Sequence, residues 1–266
     1  MRTNKLSVIG ALALLLGAGS AIAAEHHAEW ERAADNEVAN LPSLQRGARN
    51  FMSYCSGCHS LKYVRYSRIG TDLHISDAAL AQLLVRPGDK PTDYIKASMP
   101  ASDAQDWFGK QPPDLSLVAR SRGTDWIFNF LTTFYADPAS RQTGVNNLQL
   151  PGTAMPHVLA SLQGVQTLRT ANHEAGATPE AAAKAEGAEH GEAHEGKASP
   201  FEPGVVGSLT PVQYDEFVRD TVNFLDYASD PSQLERQGLG IWVVLFLLMF
   251  TGIAYMLKGE YWKDVR

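Results

Sequence analysis

Cys55-Ser56-Gly57-Cys58-His59 constrains this chain more than any other stretch. Two thiols separated by two residues, with a histidine directly after the second, is the spacing at which a c-type haem is attached. Each thiol can add to one vinyl group of the porphyrin, and the turn between them brings His59 under the iron as proximal ligand. These are the only two cysteines in 266 residues, so the motif consumes both. An ordinary dithiol or disulfide beside a histidine is the simpler alternative. A zinc site would need more thiolate or imidazole ligands than this neighbourhood offers. The expected cofactor is one haem c, covalently attached through Cys55 and Cys58.

The two ends of the chain say where that chemistry takes place. Arg2 and Lys5 precede an apolar run from Leu6 to Ala18, and Ala21-Ile22-Ala23 follows as a small-x-small cleavage signature. Residues 1–23 therefore read as a signal peptide, the apolar run being shorter than the roughly 20 residues a bilayer requires. From Leu239 to Leu257 the chain carries 19 residues without a charge, long enough to span with little tilt. Lys258, Lys263 and Arg266 follow it, so the basic excess places the C-terminal end, residues 258–266, in the cytoplasm. Trp242 near one end and Tyr255, Tyr261 and Trp262 near the other supply rings for the two membrane interfaces. The expectation is a single-pass protein of a bacterial inner membrane, with residues 24–238 as a periplasmic haem domain. The formal charge of −6 grows more negative once Arg2, Lys5 and the basic tail are set aside. Such a field favours cationic partners and repels nucleic acid.

Between the two signals, 44% hydrophobic residues overall is enough to bury a core. A helix is expected from Ser43, after Pro42. Its residues Leu44, Ala48, Phe51 and Met52 share one face and lead into the haem motif. Residues 60–124 hold short helical patches such as Asp77–Val85, broken by Pro87, Pro91, Pro100, Pro112 and Pro113, and are expected to be loop-rich. Asp125–Tyr135 reads as a compact aromatic helix. Thr210 and Pro211 are an N-cap and first helical position, opening a helix to about Ser229 whose Phe217, Thr221, Phe224, Leu225 and Ala228 would pack on the first helix. Residues 171–199 differ in kind: ten Ala, six Glu, four Gly and three His with no aromatic. Such a segment cannot repay the entropy of ordering and reads as a flexible insert. His173, His190 and His194 invite a metal hypothesis, but a site on so loose a segment must order itself before it gains affinity.

An attached haem leaves its distal position open, and methionine opposite histidine suits electron transfer. Met52, Met99, Met155 and His157 are the candidates. Met52 belongs to the entry helix and cannot easily reach the opposite face. Met99 and Met155 both precede a proline in a loop, and Met155 is favoured because the longer excursion lets the chain cross the haem edge first. His157 would give a lower potential and ranks behind both.

Arg46-Gly47-Ala48, the run Cys55–Leu61, Pro112-Pro113-Asp114-Leu115-Ser116, Pro151–Pro156 and the terminal Tyr261-Trp262-Lys263 together resemble the cytochrome c1 family. That resemblance implies a mainly α, class I cytochrome c-like haem domain with long loops, plus one C-terminal transmembrane helix. It implies Met155 as the second axial ligand beside His59, and Arg120 against a haem propionate. It also implies an electron-transfer subunit of the cytochrome bc1 complex, with no complete catalytic activity alone. Such a subunit works with cytochrome b, the Rieske iron–sulfur protein and a soluble cytochrome c, in a dimeric complex at the inner membrane. The 171–199 insert is a departure from the family pattern, being longer and richer in Ala and Glu. A membrane-tethered monohaem cytochrome serving a terminal oxidase or another reductase would share the haem motif and anchor, though it has no need of the Pro112–Ser116 segment. An exported binding or dithiol-exchange module would have no haem at all.

Overall fold

The computed structural model describes residues 28, 30–140, 143–169 and 199–263. The expected signal peptide, the insert histidines and the last three residues lie outside them. The chain divides into two compact units, Met1–Glu31 and Arg32–Arg266, and every element below belongs to the second.

Asn40 opens α1 (Leu41–Tyr54) by accepting the Ser43 amide hydrogen at 3.2 Å, with Pro42 in the first turn. The helix thus begins two residues before the expected Ser43. Proline lacks only an amide hydrogen that the first turn leaves unused. Beyond the haem motif come β1 (Leu61–Arg65), α2 (Tyr66–Asp72), α3 (Asp77–Leu83), β2 (Tyr94–Ile95), α4 (Ala101–Phe108) and α5 (Val118–Arg122). Then follow α6 (Thr124–Thr132), β3 (Phe134–Ala136), β4 (Val145–Asn147), α7 (Ala160–Gln163), β5 (Gly164–Leu168), β6 (Phe201–Val206), α8 (Pro211–Ser229) and α9 (Gln233–Tyr261). The fold is mainly α, as expected, with three small antiparallel strand pairs β1–β2, β3–β4 and β5–β6 in addition.

The expected end of the aromatic helix needs correction. The aromatic helix stops at Thr132 rather than Tyr135, because Thr132 and Thr133 turn their hydroxyls back onto the Phe128 and Asn129 carbonyls at 2.9 and 2.7 Å. Hydroxyls that take up backbone acceptors in this way compete with the helix ladder. The chain emerges extended as β3, whose Phe134, Tyr135 and Ala136 pair with Asn147, Asn146 and Val145. The long apolar helix α9 has 29 residues and contains the expected membrane-spanning stretch 239–257. At 1.5 Å per residue it is about 44 Å long, more than the roughly 30 Å hydrocarbon core of a bilayer. None of its residues is buried by the rest of the chain.

The core sits where α1 crosses α8. The latter opens with the expected cap, Thr210 and Gln213 each bonding the other's backbone, a reciprocal pair that satisfies two otherwise orphaned donors. Leu44, Ala48 and Phe51 of α1 are buried with Val218, Thr221, Val222, Phe224 and Leu225 of α8, and the Phe51 and Phe224 rings lie 5.8 Å apart. Polar groups lace the same seam. Asn50 donates to the Phe217 carbonyl at 3.2 Å, and Asn223 donates to Ser43 Oγ at 3.0 Å. Buried Asp220 takes Arg46 on both oxygens at 2.5 and 2.8 Å. The Tyr214 hydroxyl donates to the Leu131 carbonyl at 2.8 Å and ties α8 to α6. Register across β5–β6 sets Leu168 beside Phe201, so the segment holding the insert leaves and returns at one place and can lengthen without moving this core.

Asp226 on α8 is the group on this seam with a marked pH cost. Burial raises its carboxyl above the ordinary value, against the hydrogen bond from Asn36 at 2.9 Å, and the field of Asp230 adds to the rise. A carboxyl whose folded pKa is raised holds its proton longer when folded, so its contribution to stability is full in acid and is lost as pH rises through that pKa. Asp226→Asn is therefore expected to raise the unfolding midpoint at pH 7 and not at pH 3. The gain should stay below about 1 kcal/mol, since the group is half exposed and screened. Equal gains at both pH values would show that charge is not the cause.

Candidate functional site

α1 delivers the motif. Cys55 caps the helix with its amide hydrogen on the Phe51 carbonyl at 2.9 Å, and its own carbonyl then accepts from Cys58 at 3.0 Å and His59 at 2.8 Å. This tight turn carries all three functional side chains within one winding of chain. Both thiols are free and half-buried. Burial pushes the Cys55 thiol up to about 12, with Cys58 adding to the rise, and raises Cys58 as well. Thiols held protonated in this way are poor metal ligands and poor exchange nucleophiles.

The imidazole of His59 is fixed from the opposite segment. Its Nδ1 lies 2.8 Å from the Pro113 carbonyl oxygen, which can only accept, so Nδ1 carries the hydrogen and Nε2 is left with its lone pair for a metal. Burial lowers the pKa of the ring, against the Pro113 bond and the field of Asp114. The Pro112–Ser116 segment is laced along residues 59–63 by several bonds. Leu115 donates to the Ser60 carbonyl at 2.9 Å. The Asp114 carboxylate accepts Lys62 N–H at 2.9 Å and Ser116 N–H at 3.0 Å, and Ser116 Oγ accepts Tyr63 N–H at 3.2 Å. Pro113 and Asp114 thus enter the site as a backbone acceptor and a clip. In the sequence the proline pair reads as a helix breaker and as part of the family resemblance, with no sign of the bond to His59.

Met155 lies in a stretch without regular structure between β4 and α7, half-buried and packed on the same apolar core as Cys55. The Met99 amide hydrogen is on the Gly57 carbonyl at 3.0 Å, which ties that residue's backbone to the motif's own turn. His157 has other work. Its ring lies parallel to buried Phe134 at 4.9 Å and 5°, continuing a row from Trp126 through Phe130 to Phe134. Burial pushes its pKa down to about 4, against hydrogen bonds with Gly164 and Gln163. Arg120 stands exposed on α5. Burial alone would raise Asp230, but hydrogen bonds from Arg236 and Ser232 and the fields of Arg236 and Arg120 hold that carboxyl below its ordinary value. Arg120 is therefore near the C-terminal end of α8.

These residues fit a covalently held haem. The fit rests on the fixed His59 tautomer, two free thiols on one turn, and apolar side chains that pack on the core while only partly buried themselves. Met52, Leu115, Val118, Trp126, Met155 and Phe217 are of this last kind. Among the described residues no group of three or more His, Cys, Asp or Glu could hold a metal ion by itself.

The sequence model of the Cytochrome C1 family matches residues 30–166 and 207–265, and the gap between the two stretches contains the insert. A cytochrome c1 of Allochromatium vinosum is 44% identical over 255 residues, covering 94% of this chain and 96% of that protein. A protein of Nitrosomonas europaea named ammonia monooxygenase gamma subunit is 38% identical over 227 residues, 85% of each chain. A cytochrome b/c1 of Bradyrhizobium diazoefficiens is 26% identical over 267 residues, which are 89% of this chain and 35% of that longer one.

Proposed function

The chain belongs to the cytochrome c1 family, and from that premise we propose that it is the electron-transfer subunit of a respiratory cytochrome bc1 complex. In this reading it takes one electron from the Rieske iron–sulfur protein and passes it to a soluble cytochrome c. The observation that carries the reading is the bond from His59 Nδ1 to the Pro113 carbonyl, 2.8 Å long, which leaves the Nε2 lone pair available to a metal, on the same turn as two free thiols. Relatives named cytochrome c1 and cytochrome b/c1 support the place beside cytochrome b.

Haem c, when bound, supplies an iron couple that gains and loses one electron. Cys55 and Cys58 hold it through two thioethers and prevent its loss. His59 Nε2 and the Met155 sulfur would be the two protein ligands to the iron, and a ligand pair kept through the couple would leave little of the chain to rearrange. Pro113 keeps the imidazole oriented, and through Nδ1 it raises the ring's donor strength. Arg120 is assigned to a haem propionate, where its charge would offset that of the carboxylate.

Residues 1–23 are removed as a signal peptide, and residues 24–238 form the periplasmic domain around the haem. Part of α9, residues 239–257, spans the inner membrane and leaves 258–266 in the cytoplasm, where Lys258, Lys263 and Arg266 meet the basic-inside preference. The complex is a dimer. A pull-down of the full-length protein from its own membranes in mild detergent, followed by a reduced-minus-oxidised visible spectrum, tests the assignment. Bands of b-type haem beside the c-type band are expected. A c-type band alone would move the protein to a tethered carrier outside the complex, and no haem band at all would overturn the whole reading.

A further inference from the structure

A thioether is a weak ligand, and a loop without regular structure is an unreliable way to hold one. Met155 belongs to such a loop, yet a ladder of hydrogen bonds runs from the core to its backbone. The ladder starts at Asn147, the last residue of β4, which is fully buried at 0% exposure. Its amide nitrogen donates to the Phe130 carbonyl at 2.7 Å, and its oxygen accepts the Leu150 amide hydrogen at 3.0 Å. Asn146 stands beside it. The Asn146 oxygen accepts the Gly152 amide hydrogen at 2.8 Å, while its nitrogen donates to Asp137 at 2.9 Å. From there the loop holds itself: Thr153 donates its amide hydrogen to the Leu150 carbonyl at 3.2 Å, and Met155 donates its own to Thr153 Oγ1 at 3.3 Å. Beyond Met155, the stack of His157 on Phe134 pins the far side.

We infer that Asn146 and Asn147 are positioning residues for the Met155 thioether, gripping the loop at Leu150 and Gly152 so that the sulfur stays on the iron. The chemistry explains the residue type. Each position must donate and accept through one short side chain, which a carboxylate or an aliphatic residue of the same size cannot do. Without Asn147 the Phe130 carbonyl and the Leu150 amide would both lose their part-buried partner, a costlier loss than that of a fully exposed bond. Asn146 is half-buried, so its loss should loosen the loop without endangering the fold. The inference deepens the functional reading above and rests on Met155 being the ligand.

The test uses the full-length, haem-loaded protein in detergent, with imidazole as the probe. External imidazole can take the sixth position only when the loop opens, so its apparent affinity reports the open fraction. The ferric sulfur-to-iron charge-transfer band reports the sulfur directly. With Asn146→Ala, apparent imidazole binding is expected to tighten roughly five-fold, and with Asn147→Ser on the order of ten-fold. Both should come with a weakened sulfur band and a lower reduction midpoint. If Asn147→Ser yields no folded protein, Asn146→Ala carries the test alone. Met155→Leu is the control. Loss of the sulfur band in Met155→Leu, with wild-type band and imidazole affinity in the asparagine variants, would sink the positioning role and leave the ligand assignment intact. A sulfur band that survives Met155→Leu would sink the ligand assignment itself.

Discussion

Gly47→Val is expected to yield no folded, haem-bearing protein, because the two helices that build the core approach most closely at that residue. A Cβ placed on Gly47 would lie 2.0 Å from the Asp220 carbonyl oxygen and 2.7 Å from Phe224 Cβ. The first of these is backbone in mid-helix, so relief requires α1 and α8 to part, which undoes the Phe51–Phe224 contact and the Arg46–Asp220 pair together. Even Gly47→Ala sets a helix-propensity gain of about 1 kcal/mol against overpacking of about 3 kcal/mol or more, and the second term wins. With valine the deficit comes within reach of the whole stability of a domain, about 5–15 kcal/mol. Since α1 also presents Cys55, failure of the seam should remove the haem as well as the fold. Thermal unfolding and haem yield per unit of membrane protein measure both. Gly238→Ala is the matched control: a Cβ there meets nothing within 4 Å, so that variant should behave as wild type. A Gly47→Val protein with normal haem yield would show that the helices do not need this approach.

The sequence makes this seam legible because its signals are local. The Thr210-Pro211 cap and the apolar face ending near Ser229 predict α8 within the bounds observed, and Leu44, Ala48 and Phe51 mark the buried side of α1. The strands are a different matter. β2 is two residues long, too short for any alternation to register, and β5 meets β6 only across the insert. Such pairings depend on contacts that no window of neighbouring residues contains. The end of α6 has the same character. Aromatic spacing continues through Phe134 and Tyr135, and only the threonine hydroxyls turning inward stop the helix.

In the site, the residues proposed to hold the haem are legible and the residues that orient them are not. Cys55, Cys58 and His59 carry their chemistry in side chains at a fixed spacing, and Met155 stands out by its flanking prolines. His59 takes its orientation from a backbone carbonyl 54 residues away, and a backbone acceptor leaves no trace in residue identity. Asn146 and Asn147 resemble ordinary turn residues until their amides are seen facing Gly152, Leu150 and the Phe130 carbonyl. Orientation is a property of pairs, and one chain without its fold records only the singles.

A Cys55→Ala/Cys58→Ala chain is expected to lose its haem stain on a denaturing gel completely and to lose most of its folded population with it. The first result follows from the proposed thioethers, since denaturant and detergent remove any haem held by His59 and Met155 alone. The second follows from packing. Met52, Leu115, Val118, Trp126, Met155 and Phe217 pack on the core and are only partly buried. Each 100 Å² of such surface left in water forgoes about 2.5 kcal/mol of burial. Two to four patches of that size amount to the stability of a typical domain, about 5–15 kcal/mol, so a chain that cannot retain its haem should be digested readily by protease. Single substitutions separate the two effects, because one remaining thioether still fixes the group in place. Cys58→Ala and Cys55→Ala should each keep a weak haem stain and resist protease better than the double variant. A double variant that still stains would overturn covalent attachment. A double variant that loses the stain yet resists protease like wild type would show that the domain folds without the haem covering these partly buried side chains.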